Sequence, residues 1–120
     1  MKVIVAGGRD FIPYRSDRPW LINLLQNELH ATELVCGMCR GADMWGYSIA
    51  KEMGLPIREF PADWDVLGKR AGYARNVEMA KYADACVILP GGKGTDHMKN
   101  IAQEKGLRVI IWEDSWKSKT

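Results

Sequence analysis

The sequence lacks any run of about 18 consecutive apolar residues, the length a membrane-spanning helix requires, so we expect no membrane partner. It also lacks a marked excess of either charge. Its 17 basic and 15 acidic residues leave a net charge of +2, too small to indicate wholesale binding to nucleic acid. Internal repeats and low-complexity segments are absent as well. These absences together indicate a globular protein rather than a membrane-spanning, strongly charged or repeat protein.

Cysteine and histidine are both scarce. Three cysteines cannot all be paired, and a chain of this size needs no disulfides, so we expect a reducing, cytoplasmic environment. Cys36 and Cys39 form a CxxC pair, which could bind zinc or act as a redox couple, but there is no second pair. Cys86 falls in a predicted strand, and His30 and His97 are scattered. We therefore predict no metal site and no cofactor.

The composition is typical of one folded domain. Hydrophobic residues make up 47% and charged residues 27% of the 120 residues, which argues against disorder. A chain of this length can bury a core without covalent staples. We predict a single domain over residues 1–113 and a C-terminal tail over residues 114–120.

Apolar strands alternate with helical patterns along the chain. This alternation predicts an α/β protein with a Rossmann-like three-layer α/β/α fold, a mainly parallel five-stranded sheet and a strand order near the Rossmann type. A loop is predicted over residues 63–73. The predicted strands are 2–6, 33–38, 56–62, 85–89 and 108–113, and the predicted helices are 18–30, 42–53, 74–82 and 95–105.

A predicted buried strand runs into a predicted helix through the sequence ACVILPGGKGT. Pro90 ends the strand because proline cannot donate to the ladder. Gly91, Gly92 and Gly94 allow close approach of a ligand to the backbone, and Thr95 is expected to cap the helix. The free amides of a first helical turn bind anions. Because neither GxGxxG nor GxxxxGK[ST] is present, the stretch predicts an anion site without naming the ligand.

Glycines and charged residues collect in the loops that leave the predicted strands. In a parallel sheet these loops meet at one edge, where open α/β folds bind ligands. Cations suit phosphate, carboxylates suit sugar hydroxyls and aromatic rings suit a base, although such loops commonly contain glycine and polar residues for structural reasons. The predicted ligand-binding residues are Gly7, Gly8, Arg9, Arg40, Gly41, Trp64, Lys69, Tyr73, Pro90, Gly91, Gly92, Lys93, Gly94 and Thr95.

Five motifs together resemble the YspA-type (cpYpsA-related) branch of the SLOG superfamily, over nearly the whole chain. This resemblance implies a Rossmann-like fold that binds nucleotides or nucleotide-derived molecules. It also implies a relationship to the LONELY GUY phosphoribohydrolases and to a DNA-binding fold, and a bacterial or phage setting. The motifs are GGRDF (7–11), CRGAD (39–43), PADW (61–64), GKRAGYARN (68–76) and PGGKGT (90–95).

The resemblance also suggests catalytic residues. Arg75 matches the arginine that the phosphoribohydrolases carry on the helix before the central strand. The glutamate that follows their PGGxGT motif is missing, and Asp96 or His97 could take its place. Asp10 and Asp43 follow two other strands and complete the candidate catalytic set with Arg75 and Asp96.

Simpler roles remain open for several of these residues. Asp43 could cap the second helix. Arg9 and Arg40 could pair with the neighbouring aspartates rather than with phosphate. His97 could be a solvated residue at a helix start.

We expect the protein to bind a nucleoside phosphate or an ADP-ribose- or NAD-like ligand, as a sensor, a sequestering protein or a processing protein. The alternative is a phosphoribohydrolase-like enzyme that cleaves the N-glycosidic bond of nucleoside monophosphates. Single-stranded nucleic-acid binding is a third option, disfavoured by the low net charge. Trp45, Tyr47 and Ile49 place apolar residues on more than one face of a helix, which predicts a homodimer or higher homo-oligomer.

Overall fold

A computed structural model describes residues 1–112 and shows one five-stranded sheet in which every pair of neighbouring strands is parallel. The strand order is β3-β2-β1-β4-β5, the order of a Rossmann sheet. The predicted fold class and strand order are therefore confirmed. The strands are β1 (Lys2–Ala6), β2 (Glu33–Cys36), β3 (Ile57–Glu59), β4 (Ala85–Ile88) and β5 (Arg108–Ile111).

Helices cover both faces of the sheet, because alternate strand residues point to opposite sides. The helices are α1 (Asp17–Asn23), followed by a π-helical turn (Leu24–Glu28), α2 (Ala42–Glu52), α3 (Trp64–Leu67), α4 (Ala71–Tyr82) and α5 (Lys93–Glu104). Val3 and Val5 pack with α1 and α2, whereas Ile4 and Ala6 pack with α4 and α5. The β4 strand is buried over its whole length, as its apolar sequence predicts.

The prediction of a loop over residues 63–73 is wrong. The Asp63 side chain accepts a hydrogen bond from the Val66 amide at 3.2 Å and starts α3, and a 3₁₀ turn over Gly68–Arg70 leads directly into α4. α4 begins at Ala71, three residues before its predicted start at residue 74, and Ala71 is buried. Short helical turns of this kind have too few residues to show a hydrophobic period.

The predicted Thr95 cap is wrong, and so is the capping role that was left open for Asp43. Gly92 is the N-cap of α5, so Thr95 lies inside the first turn with its side chain buried. Gly41 is the N-cap of α2, and Asp43 likewise lies inside that helix. Both helices therefore begin at a glycine: Gly41 packs closely against the loop after β1, whereas the position of a Gly92 Cβ has no atom within 4 Å.

The remaining differences concern element ends. β2 and β3 are shorter than predicted, and Gly54 and Gly106 follow their helices with positive φ, as expected of helix-terminating glycines. The predicted tail over residues 114–120 lies outside the described residues. Within residues 1–112, no helix has the length and apolar character needed to cross a bilayer.

Candidate functional site

A cavity of about 390 Å³ opens at the carboxyl edge of the sheet. β1 leads into a helix on one face of the sheet and β4 leads into α5 on the other, so the neighbouring strands β1 and β4 form the topological switch point. Open α/β sheets bind ligands at this position, and the volume suits a small molecule. The cavity is lined by Ala6, Gly7, Gly8, Arg9, Cys39, Asp43, Trp64, Lys69, Gly72, Tyr73, Arg75, Asn76, Met79, Gly92, Gly94, Thr95 and Met98.

The structure brings together most, but not all, of the residues predicted for the site. The predicted residues that line the cavity are Gly7, Gly8, Arg9, Asp43, Trp64, Lys69, Tyr73, Arg75, Gly92, Gly94 and Thr95. The predicted residues outside its lining are Asp10, Arg40, Gly41, Pro90, Gly91, Lys93 and Asp96.

Several of the glycines hold loops together, and of these Gly7 and Gly8 also line the cavity whereas Gly41 and Gly91 do not. A Cβ built on Gly7 would lie 2.6 Å from Ala42 Cβ, and one built on Gly91 would lie 2.7 Å from the Gly8 nitrogen. Gly41 has a φ of +80° and packs against the backbone of Gly8. The Gly8 amide also donates to the Pro90 carbonyl at 2.8 Å. The loops after β1, β2 and β4 therefore interlock backbone to backbone.

Gly92 and Gly94 form a second class of glycine. Nothing lies within 4 Å of a Cβ built on either of them, and both line the cavity. They flank Lys93, the first residue of α5, whose first-turn amides have no acceptor within the helix. These two glycines therefore leave a helix start open toward the cavity, an arrangement that favours an anion.

Arg75 is held on one wall of the cavity by backbone and side-chain acceptors. Its Nη1 donates to the Gly37 carbonyl at 2.5 Å and lies 3.5 Å from Cys39 Sγ. Its Nε donates to Asn76 Oδ1 at 3.2 Å. A Cβ on Gly37 would lie 3.0 Å from Arg75 Nη1 and 2.9 Å from Asp43 Oδ2, so this glycine leaves the room that both charged groups occupy.

Asp43 is a buried carboxylate on the same wall, 6% exposed. Burial raises the pKa of its carboxyl to about 6, against the opposing effects of the Cys39 and Gly7 amides and of the Arg75 charge. The Cys39 amide donates to Oδ2 at 3.3 Å. Asp43 can therefore change protonation near neutral pH while facing the cavity, which suits acid–base chemistry.

Asn76 was not predicted as a site residue, although it lies inside a quoted motif. It is 5% exposed, and its Nδ2 lies 3.2 Å from the Gly94 carbonyl and 3.1 Å from His97 Nδ1. A polar residue directly after Arg75, at a position that faces the core, is the sequence signal that could have found it.

His97 is not a solvated helix-start residue. It is half-buried, its ring meets Tyr73 edge-on at 4.5 Å, and burial lowers the pKa of its imidazole. It lies outside the cavity lining. The simpler alternative for His97 is therefore wrong.

Cations and exposed aromatic rings form the outer rim of the cavity. Trp64 is 46% and Tyr73 44% exposed, and the Arg9 guanidinium lies 5.7 Å from the Trp64 ring. Lys69 is exposed beside them. Large exposed aromatic faces next to cations suit a planar ligand that carries negative charge.

Arg40 and Asp10 face solvent rather than the cavity. They form an ion pair at 3.4 Å with side-chain exposures of 75% and 94%. This contact agrees with the alternative in which the arginine pairs with a neighbouring aspartate. Neither residue lines the cavity, and Asp96 is likewise exposed and outside it.

The cysteines differ sharply in exposure. Burial raises the pKa of Cys36 to about 11 and that of Cys86 to about 12, whereas Cys39 is partly exposed and lines the cavity. Among residues 1–112, no group of three or more potential metal ligands is found.

A phage protein is similar to this chain in sequence. No protein-family model matches the chain. The Gene 61 protein of Mycobacterium phage D29 is 34% identical over 125 residues, which cover 94% of this chain and 97% of the phage protein. The chain belongs to the family of that phage protein.

The fold of this Gene 61 family member is also found in a solved structure. DNA processing protein A (DprA) from Streptococcus pneumoniae superposes with a TM-score of 0.70 at 17% identity. The match covers 92% of this chain but 49% of DprA, so the chain spans about half of that protein's length. This likeness is one of fold, and it agrees with the Rossmann-like fold implied by the SLOG resemblance.

Proposed function

We propose that the cavity binds a phosphorylated nucleoside or a related nucleotide-derived ligand, as in the YspA-type branch of the SLOG superfamily. The observation that carries the proposal is the open helix start at Gly92 and Gly94, which shares one cavity with Arg75 and Lys69. Helix-start amides and cations together favour phosphate.

The rest of the cavity suits the remainder of such a molecule. Trp64 and Tyr73 offer exposed rings against which a base can stack, at the rim of the cavity. Asp43 lies deeper and can accept hydrogen bonds from sugar hydroxyls. In this arrangement the ligand's phosphate lies against α5 and its base against α3 and the start of α4.

Calorimetric titration tests the proposal. The panel consists of the four nucleoside 5′-monophosphates, NAD, ADP-ribose and cyclic nucleotides. We expect saturable binding of at least one ligand and, since a charge-assisted contact contributes on the order of 1–2 kcal/mol, about a tenfold loss of affinity in Lys69→Ala. Arg70→Ala is the matched control, because Arg70 is the next exposed cation but does not line the cavity. Absence of binding across the panel would refute the proposal.

Cleavage of the N-glycosidic bond is a second candidate, favoured by the environment of Asp43. A carboxyl with a pKa of about 6 beside a fixed guanidinium can donate or accept a proton during such a reaction. Chromatography of the same ligands after incubation tests it. Release of free base that is lost in Asp43→Asn, with ligand binding retained, would support the enzyme, and binding without release would exclude it.

Single-stranded nucleic-acid binding is the third candidate, raised by the fold match to a DNA processing protein. The test is an oligonucleotide titration at several salt concentrations. Steeply salt-dependent binding to a single-stranded oligonucleotide, without binding of mononucleotides, would favour nucleic acid as the partner. The predicted homo-oligomer and cytoplasmic location stay predictions.

A further inference from the structure

We infer that Asn76 is a positioning residue that couples Arg75 to the first turns of α5, so that the guanidinium and the open helix start face a ligand as one rigid unit. The inference rests on the proposed function, because it assigns a role within the same site.

The polar groups around Asn76 fix the orientation of its amide. Arg75 Nε can only donate, so the atom 3.2 Å from it must be the amide oxygen. The Gly94 carbonyl can only accept, so the atom 3.2 Å from it must be the amide nitrogen. The two contacts agree on one orientation, and the side chain is buried at 5% exposure.

The same orientation sets the tautomer of His97. The Asn76 nitrogen also lies 3.1 Å from His97 Nδ1, which must therefore accept a hydrogen bond. A neutral imidazole with its proton on Nε2 meets that requirement, whereas a proton on Nδ1 would face an amide proton. The Asn76 amide oxygen thus accepts from Arg75, and its amide nitrogen donates to two residues of α5, Gly94 and His97.

Two of the three guanidinium nitrogens of Arg75 donate to acceptors within the protein. Asn76 takes Nε, and the Gly37 carbonyl takes Nη1. Among the described residues, none accepts a hydrogen bond from Nη2. This atom lies 3.8 Å from a Cβ built on Gly72, a residue that lines the cavity. Asn76 therefore orients the guanidinium so that Nη2 is the donor available to a ligand, and Gly94, on the other side of Asn76, is part of the proposed anion site.

The first arm of the test needs no ligand. Solvent exchange of the Arg75 Nε proton is measured by ¹⁵N NMR in wild type, Asn76→Ala and Asn76→Asp. We expect slow exchange in wild type, exchange at least about tenfold faster in N76A, and slow exchange in N76D, whose carboxylate still accepts from Nε. A purely space-filling role for Asn76 predicts slow exchange in Asn76→Val as well, because valine fills most of the volume but cannot accept from Nε. Unchanged exchange in N76A would overturn the inference.

The second arm is a double-variant cycle with the nucleoside 5′-monophosphates. R75A and N76A should each weaken binding about tenfold, and R75A/N76A should be no weaker than R75A alone, because the two residues act through one group. Independent losses that multiply would overturn the inference. Asn100→Ala is the matched control, since Asn100 is an exposed asparagine on α5.

The outcomes separate the two proposals. If wild type binds no nucleotide but the exchange pattern is as expected, the proposed function fails and the positioning of the Arg75 guanidinium by Asn76 stands. If N76A binds nucleotides as wild type does, the inference fails and the proposed function stands. Should N76A not fold, Asn76→Val, which fills the volume without hydrogen-bonding, takes its place in both arms.

Discussion

Gly91 and Thr95 lie in direct contact, because the Thr95 hydroxyl occupies the space where a side chain at position 91 would begin. The Gly8 nitrogen borders the same space at 2.7 Å. The contact ties the loop after β4 to the loop after β1 and to the first turn of α5. Within PGGKGT, the first glycine therefore supports the fold, whereas the two later glycines face open space.

Gly91→Ala and Gly94→Ala should separate these two roles. Overpacking against backbone costs about 1–3 kcal/mol, so we expect Gly91→Ala to lower the free energy of unfolding by that amount in urea titrations. Gly94→Ala meets no atom within 4 Å and lies in a helix, so its stability should stay within about 1 kcal/mol of wild type, on the favourable side.

Gly94→Ala should reduce ligand affinity even though it does not reduce stability. A methyl group at the open helix start should weaken binding of a nucleoside monophosphate about tenfold in calorimetric titration, without loss of stability. If Gly94→Ala binds as wild type does, the helix start is not where the phosphate lies.

Asp43 predicts a specific pH dependence of stability. The ordinary pKa of an aspartate carboxyl is 3.8, and burial raises that of Asp43 to about 6, so between these values the folded state holds a proton that the unfolded state has lost. Stability from this group is therefore lost as pH rises from about 4 to 6 and stays lower above that range, by about 2–3 kcal/mol.

Asp43→Asn removes that loss because an amide does not ionise. We expect the stability of Asp43→Asn relative to wild type to improve by about 2–3 kcal/mol between about pH 4 and pH 7.5, measured by urea unfolding at each pH. A difference between the two proteins that does not vary with pH would contradict the burial of an ionisable group at this position.

Asp17 should matter to stability far more than Asp10. Asp17 is 3% exposed, and its carboxylate accepts from the Tyr14 amide and from Trp112 Nε1, both at 2.7 Å. Removing a buried acceptor of two donors costs about 1–3 kcal/mol, so Asp17→Ala should lower the unfolding free energy by that amount. Asp10→Ala, at an exposed ion pair, should change it by less than about 0.5 kcal/mol. If both substitutions lower the unfolding free energy by the same amount, the burial of Asp17 and its two hydrogen bonds do not contribute to stability as expected.

The fold could be predicted from the sequence because its strands are short, apolar and separated by helical patterns. β4 shows this best, since its four residues carry no charge and are buried on both faces. The region around Trp64 could not be predicted in the same way, because a four-residue helix and a 3₁₀ turn have no measurable period. The start of α5 could not be predicted from side-chain caps either, because its N-cap is Gly92, which has no side chain.

The site was predicted in outline but not residue by residue. Topology alone placed the loops of Arg9, Asp43 and Gly92 at one edge of the sheet, and the structure brings these residues together around one cavity. Which glycines support the fold depends on contacts between distant loops, such as those of Gly91, and no local pattern shows them. Asn76 was missed because its hydrogen-bond partners lie on another helix.

The most direct test of nucleotide binding uses the cysteine in the cavity. Cys39 is partly exposed there, while Cys36 and Cys86 are at most 1% exposed and their raised pKa values keep them protonated, so iodoacetamide should label Cys39 selectively. The measurement is the rate of Cys39 alkylation with saturating nucleoside 5′-monophosphate, compared with the unphosphorylated nucleoside and with inorganic phosphate. Nucleotide binding in the cavity predicts a rate at least about fivefold slower with one of the monophosphates, because a bound ligand covers the thiol. A rate that none of the nucleotides changes, in a protein that remains folded, would contradict it.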